Sequence, residues 1–433
     1  MRLLLPLLCA CATVPKPPPI DAARIDAAAA KEIGDNPTAG VSVAIARGGE
    51  IVLARGYGVA DVEAKTPAPA DTRYPIMSVS KAITAVAVLK LVEEGRLSLE
   101  DPVGKWFPEL PAGVTVYHLV THTSGIRDFW MLDDYKEQSP ARPAEVVPIL
   151  AKTPVEFAPG EKFDYVNSNY LVLGLIVEKV SGRPLADVLA EVVFRPAGMT
   201  ATSLDCKDGA RGYRVEDKTF VAPNPFTVPP GDGSASVCST APDLARFGQA
   251  LVVGKLLRPE TVKRMLAPAH LGNGKEIEFG LGMELEQFDE RPVATIEGGG
   301  SGFAARFNHF REEGITVAVL ANTATNAVAR LRFYAGRAAR GVPLPVATPR
   351  PLPDAEREAF VGDYQFEGFV MHIYLKDGDV WARVNDPAGE KLVYIGDGIF
   401  GGTEEPDLRL ELRGPKLTMR YYGVRLLAER VPK

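Results

Sequence analysis

Strand-forming runs stand at two widely separated places in this chain, and a sheet that uses them all must enclose everything in between. Residues 41–47 and 50–59 are apolar and β-branched, and they meet at Gly48-Gly49, a hairpin signal. Comparable runs return only at 293–296, 302–310 and 315–320, after which 324–340 has the pattern of a closing helix. Helical patterns and loops fill the interval. A sheet assembled from both ends of a domain, with a helical region inserted between them, predicts an α+β sandwich over residues 22–341.

A second boundary follows at 342–354, a proline-dense stretch unsuited to a core. Beyond it, in 355–433, the segments 371–376, 380–384, 391–395, 409–412 and 417–422 alternate like short strands separated by glycine turns. This last part holds no Ser-Lys pair, metal cluster or phosphate loop, so a structural or substrate-gating module is expected. The whole chain has 433 residues, of which 46% are hydrophobic and 24% charged, the balance of an ordinary globular protein of more than one domain. Its formal net charge of −6, with both signs interspersed, offers no basic footprint for nucleic acid.

Chemistry enters at Ser78-Val79-Ser80-Lys81, which opens an apolar helical stretch at 82–92 ended by Gly95. Residues three apart share a helix face, so the hydroxyl of Ser78 and the amine of Lys81 come within reach of each other. The positive end of the helix favours an alkoxide at Ser78 and disfavours a proton on Lys81. Burial by Ala82, Ile83, Ala85 and Val86 would lower the lysine further and make it a base for the serine nucleophile.

Downstream stands Phe163-Asp164-Tyr165-Val166-Asn167-Ser168-Asn169-Tyr170, again a loop feeding a buried helix. With Ser78-x-x-Lys81 and Tyr165-x-Asn167 in this order, residues 35–340 resemble the serine β-lactamase and penicillin-binding-protein-like hydrolases. The nearest branch holds class C β-lactamases, D-alanyl-D-alanine carboxypeptidases, D-amino-acid peptidases and esterases. Further strings fit it: His122-Thr123-Ser124-Gly125, Pro196-Ala197-Gly198-Met199-Thr200, Ser239-Thr240-Ala241-Pro242-Asp243 and Gly302-Phe303. The resemblance implies a β-lactamase/transpeptidase-like antiparallel sheet flanked by helices, and a small β-barrel at 355–433. It implies that Ser78, Lys81 and Tyr165 are catalytic, the phenol of Tyr165 exchanging a proton with Ser78 after a neighbouring lysine has lowered its pKa. It implies no cofactor, and a small-molecule ester, amide or peptide as substrate. Asn167 would contact a substrate amide or Lys81.

One family motif departs from the pattern. Relatives carry Lys or His, one residue, then Gly on the strand lining the site. Here the stretch is Thr295-Ile296-Glu297-Gly298-Gly299-Gly300-Ser301-Gly302, which puts either Ile296 or Glu297 in the cationic slot. Gly299 or Gly300 could add an N–H to that of Ser78 as an oxyanion hole. Without the cation, carboxylate-bearing penicillins and D-Ala-D-Ala termini lose their anchor, and an inward Glu297 would repel them. Arg127 and Arg306 are the candidates for supplying the charge from elsewhere. The expected function is hydrolysis of an ester or amide through an acyl-enzyme on Ser78. A β-lactamase or carboxypeptidase is the alternative, and a non-catalytic binding module of the cell envelope is a rival of another class.

At the N-terminus, Met1-Arg2 and the apolar run 3–8 are too short for a membrane span and have the form of an export signal within 1–21. Leu8-Cys9-Ala10-Cys11 resembles a bacterial lipoprotein processing box with Cys11 as the lipidated residue, which implies a membrane anchor in the cell envelope or periplasm. Ordinary secretion with cleavage nearby is the other possibility. Cys206 and Cys238 then remain, either bridged or as two buried thiols. The pair His118 and His122 has helical spacing but lacks the carboxylate of a hydrolytic zinc helix, so no metal is expected.

Overall fold

The computed structural model describes residues 19–34, 37–138, 141–223, 229–366, 368–384, 389–403 and 407–431. Cys11 and most of the expected N-terminal signal lie outside these described residues. Helix α1 (Ala22–Gly34) leads into β1 (Gly40–Arg47) and β2 (Glu50–Asp61). The turn between them has φ of 60° at Gly48 and 86° at Gly49, a conformation that glycine adopts without steric cost. After β3 (Thr66–Pro67) the chain leaves the sheet and builds its helices, chiefly α2 (Ser80–Glu93), α3 (Asn167–Ser181) and α4 (Ala241–Val252). It returns through β4 (Glu284–Phe288), β5 (Arg291–Gly300), β6 (Phe303–Phe310) and β7 (Ile315–Ala321), and closes with α5 (Ala327–Arg340).

The seven strands are ordered β4-β5-β6-β7-β1-β2-β3, so the two ends of the domain meet where β1 pairs antiparallel with β7. The expected α+β sandwich is the one observed. Strands β1, β6 and β7 are buried on both faces, which is why β1 and β7 are largely apolar along their length instead of alternating; β6 differs in burying Arg306, Asn308 and His309 as well. Their inner side chains, such as Ala44, Phe307 and Leu320, pack with the large helical core that contains α2 and α3. Their outer ones, such as Val43, Ile45 and Val319, pack against Ile25 and Ala29 of α1 and Leu331 and Ala335 of α5.

Strand β5 runs four residues past the 293–296 expected for it. Three glycines belong to the strand because the β6 ladder continues opposite them, from Ile296 facing Phe307 to Gly300 facing Phe303. On its other side β5 pairs with β4 only as far as Thr295, opposite Glu284. The stretch from Ile296 to Gly300 is therefore an open edge.

The C-terminal part is a closed barrel of eight strands between Gly362 and Arg430. All five expected segments fall on its strands, except that the strand Asp379–Arg383 stops one residue short of Val384 and the strand Lys416–Tyr421 one residue short of Tyr422. Tyr422 and Gly423 instead form a left-handed turn (φ 48° and 80°) that plugs the barrel into the sheet domain. The Tyr422 ring is buried against Phe333, and Arg330 donates to its hydroxyl at 2.9 Å. Cys206 and Cys238 are joined as a disulfide, which settles the choice left open above.

Asn322, at the end of β7, is fully buried and its amide reaches the carbonyls of Val59, Ala60 and Arg211 at 2.9 to 3.1 Å. Asn322→Ala removes all three hydrogen bonds, though the Ala60 carbonyl keeps another donor in the Arg211 N–H, and should destabilise the domain by about 2 kcal/mol or more. Val52→Ala on the open face of β2 should stay within about 0.5 kcal/mol. Urea denaturation of both variants checks the contrast.

Candidate active site

Ser78 sits in a short 3-10 turn (Met77–Val79) that runs directly into α2, so its N–H precedes the helical ladder and points away from it. One turn on, Lys81 is completely buried. Its Nζ donates to Ser78 Oγ at 2.8 Å, to Asn167 Oδ1 at 2.7 Å and to the Ser234 carbonyl at 3.2 Å. Burial drives the Lys81 pKa well below the ordinary lysine range, against the opposing charges of Asp232, Asp128 and Glu284. The amine that touches the serine is thus one that gives up its proton readily.

Tyr165 lies just before α3, with Lys81 Nζ 4.9 Å from its ring centroid and His122 stacked on it at 4.3 Å. Its hydroxyl is buried and completes no hydrogen bond among the described residues. Ser78 is near enough to favour the ionised phenol, but burial outweighs this and raises the tyrosine pKa, with Glu284 and Asp128 adding to the rise. The expectation of a lowered tyrosine is therefore corrected: desolvation dominates, and Tyr165 stays a phenol at neutral pH. His122 is neutral for the same reason, burial first and the charge of Lys81 second. Its Nδ1 accepts from the Val166 N–H at 3.2 Å, while His118 is occupied elsewhere, capping its own helix through Thr115.

Asn167 is committed to Lys81. Its Oδ1 holds the amine, and its Nδ2 and backbone N–H both donate to Asp128 Oδ2, at 2.8 and 3.1 Å. The lysine contact raised for this residue is present.

The open edge of β5 supplies the other wall. A Cβ on Gly298 would stand 2.3 Å from the Ile76 carbonyl and 3.0 Å from Ser78 N, so only glycine lets the strand lie against the serine turn. Side chains alternate along a strand, which puts Ile296 on the same face as Gly298 and Glu297 on the opposite one. Glu297 is accordingly turned away from Ser78 and ion-paired with Arg306, facing it on β6. Its assignment as a substrate-binding residue is corrected on that ground, and Ile296, fully buried, is the residue on the face that meets the serine turn. Both arginines named as candidates for a compensating charge are ion-paired: Arg306 is held by Glu286 and Glu297, and Arg127 pairs with Glu156 at 2.9 Å.

Backbone polarity separates Gly299 from Gly300. The Pro292 carbonyl accepts from Arg311, beyond the end of β6, so even-numbered residues of β5 direct their backbone groups to β6 and odd-numbered ones to the opposite side. Gly300 is thereby used in the β5–β6 hairpin. Gly299 presents its N–H on the open edge beside Ser78, and a Cβ there would meet no atom within 4 Å.

Asp128, Asp232 and Ser234 belong to the site and carried no sequence signal. Asp232 is fully buried behind Ser234, whose N–H and hydroxyl both donate to it. Its pKa is raised by burial and pulled back by those donors and by Lys81. Only their position in the fold, under Lys81, marks them.

The Beta-lactamase family model matches residues 25–340. Penicillin-binding protein 4* of Bacillus subtilis (strain 168) is 29% identical over 304 residues, covering 65% of this chain and 67% of that protein. Esterase EstB of Burkholderia gladioli is 36% identical over 232 residues, 49% of this chain and 55% of the esterase. The aligned part thus spans between about half and two thirds of these relatives' lengths. Among solved structures, the octameric penicillin-binding protein homologue from Pyrococcus abyssi shares the fold with a TM-score of 0.67 at 24% identity. It covers 94% of this chain and 100% of that one. With the family match extending over the whole sheet domain and its serine-lysine turn, the chain belongs to the beta-lactamase family, among relatives that include penicillin-binding proteins and an esterase.

Proposed function

We propose that this protein is an exported serine hydrolase that cleaves esters, or amides of uncharged substrates, through an acyl-enzyme on Ser78. The observation that carries the proposal is the 2.8 Å contact between Ser78 Oγ and a buried lysine whose proton is destabilised. Neutral Lys81 takes the serine proton as Oγ attacks the acyl carbon. The carbonyl electrons move onto oxygen, which the N–H groups of Ser78 and Gly299 receive. Collapse of that intermediate breaks the bond to the leaving group, which departs with a proton delivered through Tyr165, a phenol that burial keeps protonated. Water then attacks the acyl-enzyme, its proton passing to the same relay, and Ser78 leaves as the hydroxyl. The Ser78–Lys81 contact, with the Tyr165 ring packed beside the lysine, favours this over a non-catalytic binding module.

Ile296 in the cationic slot supports an ester substrate over a penicillin or a D-Ala-D-Ala peptide. A carboxylate there loses a charge-assisted hydrogen bond of about 1.5–3 kcal/mol, roughly ten- to a hundredfold in affinity. The esterase relative fits this direction. Export rests on the residue 1–8 pattern and on the Cys206–Cys238 disulfide, a bond that persists in oxidising compartments. The lipid anchor at Cys11 rests on the processing box alone. Radiolabelled palmitate should enter the full-length protein in a bacterial host, and Cys11→Ala should abolish it; label retained in the variant would refute the anchor.

Intact-protein mass spectrometry with a fluorophosphonate probe tests the nucleophile. One adduct is expected on the wild type, at Ser78, and none on Ser78→Ala; an adduct on the folded variant would sink the assignment.

Turnover of a short-chain nitrophenyl ester should exceed that of a cephalosporin by orders of magnitude, and Ile296→His should raise the cephalosporin-to-ester ratio about tenfold or more. Efficient cephalosporin turnover by the unmodified protein would contradict the role given to Ile296.

A further inference from the structure

Strand β5 carries the Gly299 N–H on an edge that has no strand beside it, and it does so with three successive glycines. Glycine backbones lose the most entropy on being fixed and have no side chains to anchor them. Glu297 is the last residue of β5 with a side chain before that run. Its carboxylate is gripped by Arg306 of β6, and Arg306 reaches on to Glu286 of β4 at 2.6 Å. The other oxygen of Glu286 takes Arg332 of α5 at 3.1 Å, and Arg332 donates to the Tyr422 carbonyl of the barrel turn at 3.3 Å.

The series is unbroken from the barrel to the oxyanion edge. Arg332 is 1% exposed, and its guanidinium lies 5.1 Å from the centre of the Phe288 ring. On that same ring rests Gly423, where a Cβ would stand 2.7 Å from the nearest carbon. Burial alone would raise the Glu286 carboxyl, but Arg306 and Arg332 hold it below its usual range, so it stays charged between them. A buried ion series of this kind is a weak source of stability but a strong constraint on geometry, since breaking one link strands a charge.

We propose that Arg306 and Arg332 are positioning residues through which the C-terminal barrel fixes strand β5, and with it the Gly299 N–H, against Ser78. This rests on the hydrolase reading above. The barrel then contributes to the transition state without touching substrate, because displacing that donor by even a fraction of an ångström weakens its contact to the oxyanion more than its contact to the bound ester.

Two full-length variants test it, assayed with a nitrophenyl ester and with phenylboronic acid, which forms a tetrahedral adduct on a nucleophilic serine. Arg332→Met cuts the series at the barrel end; Glu297→Gln, whose side chain is 52% exposed, cuts it at the strand end without a folding burden. Each should lower kcat about tenfold, leave KM within about twofold and weaken boronate inhibition by the same factor as kcat, the scale of a small misplacement. If Arg332→Met fails to fold, Glu297→Gln decides. A folded Glu297→Gln with wild-type kcat and boronate affinity would overturn the positioning role and leave the hydrolase reading standing. A wild type that neither turns over ester nor binds boronate would overturn both.

Discussion

Everything at this site depends on how the amine of Lys81 is buried. Its three partners, Ser78 Oγ, Asn167 Oδ1 and the Ser234 carbonyl, are all neutral oxygens. The carboxylates stand one step behind them, Asp128 behind Asn167 and Asp232 behind Ser234. A carboxylate in direct contact would hold the lysine protonated and useless as a base. At one remove, the acids orient the neutral oxygens and only partly offset the desolvation that drives the proton off.

The same burial determines the role of Tyr165. Desolvation acts in opposite directions on the two groups, lowering the lysine and raising the tyrosine, so that both are pushed toward their neutral forms, amine and phenol. His122, neutral and stacked on the phenol, adds bulk without charge. The fold makes this possible by bringing α2, α3 and the open end of β5 to one point, with Gly298 removing the side chain that would keep the strand from the serine turn.

Much of this was legible in the sequence because it follows from local pattern. Strand runs at both ends of the domain specified the sheet, glycines specified the hairpin, and the spacing of Ser78, Lys81, Tyr165 and Asn167 located the site. What escaped was whatever depends on register or on distant neighbours. Whether Ile296 or Glu297 faced the serine is a question of strand parity, decided by the β6 ladder. The sign of the Tyr165 shift required knowing how deeply its hydroxyl is buried. Asp128 and Asp232 look like loop residues until the fold places them beneath Lys81, and the disulfide needed the distance between Cys206 and Cys238. The role of Tyr422 is of the same kind, since a residue that reads as the end of a strand is the plug between two domains.

Deprotonation of Ser78 by Lys81 requires an amine that sheds its proton near neutral pH, and an NMR titration of isotopically labelled lysine side chains in the folded protein addresses this directly. Lys81 should titrate far below the exposed lysines, and ester turnover should be lost as pH falls through that same midpoint, because protonation removes the base. A Lys81 resonance that titrates with the others, near about 10.4, while the ester is still turned over at neutral pH, would contradict the claim that this amine deprotonates Ser78.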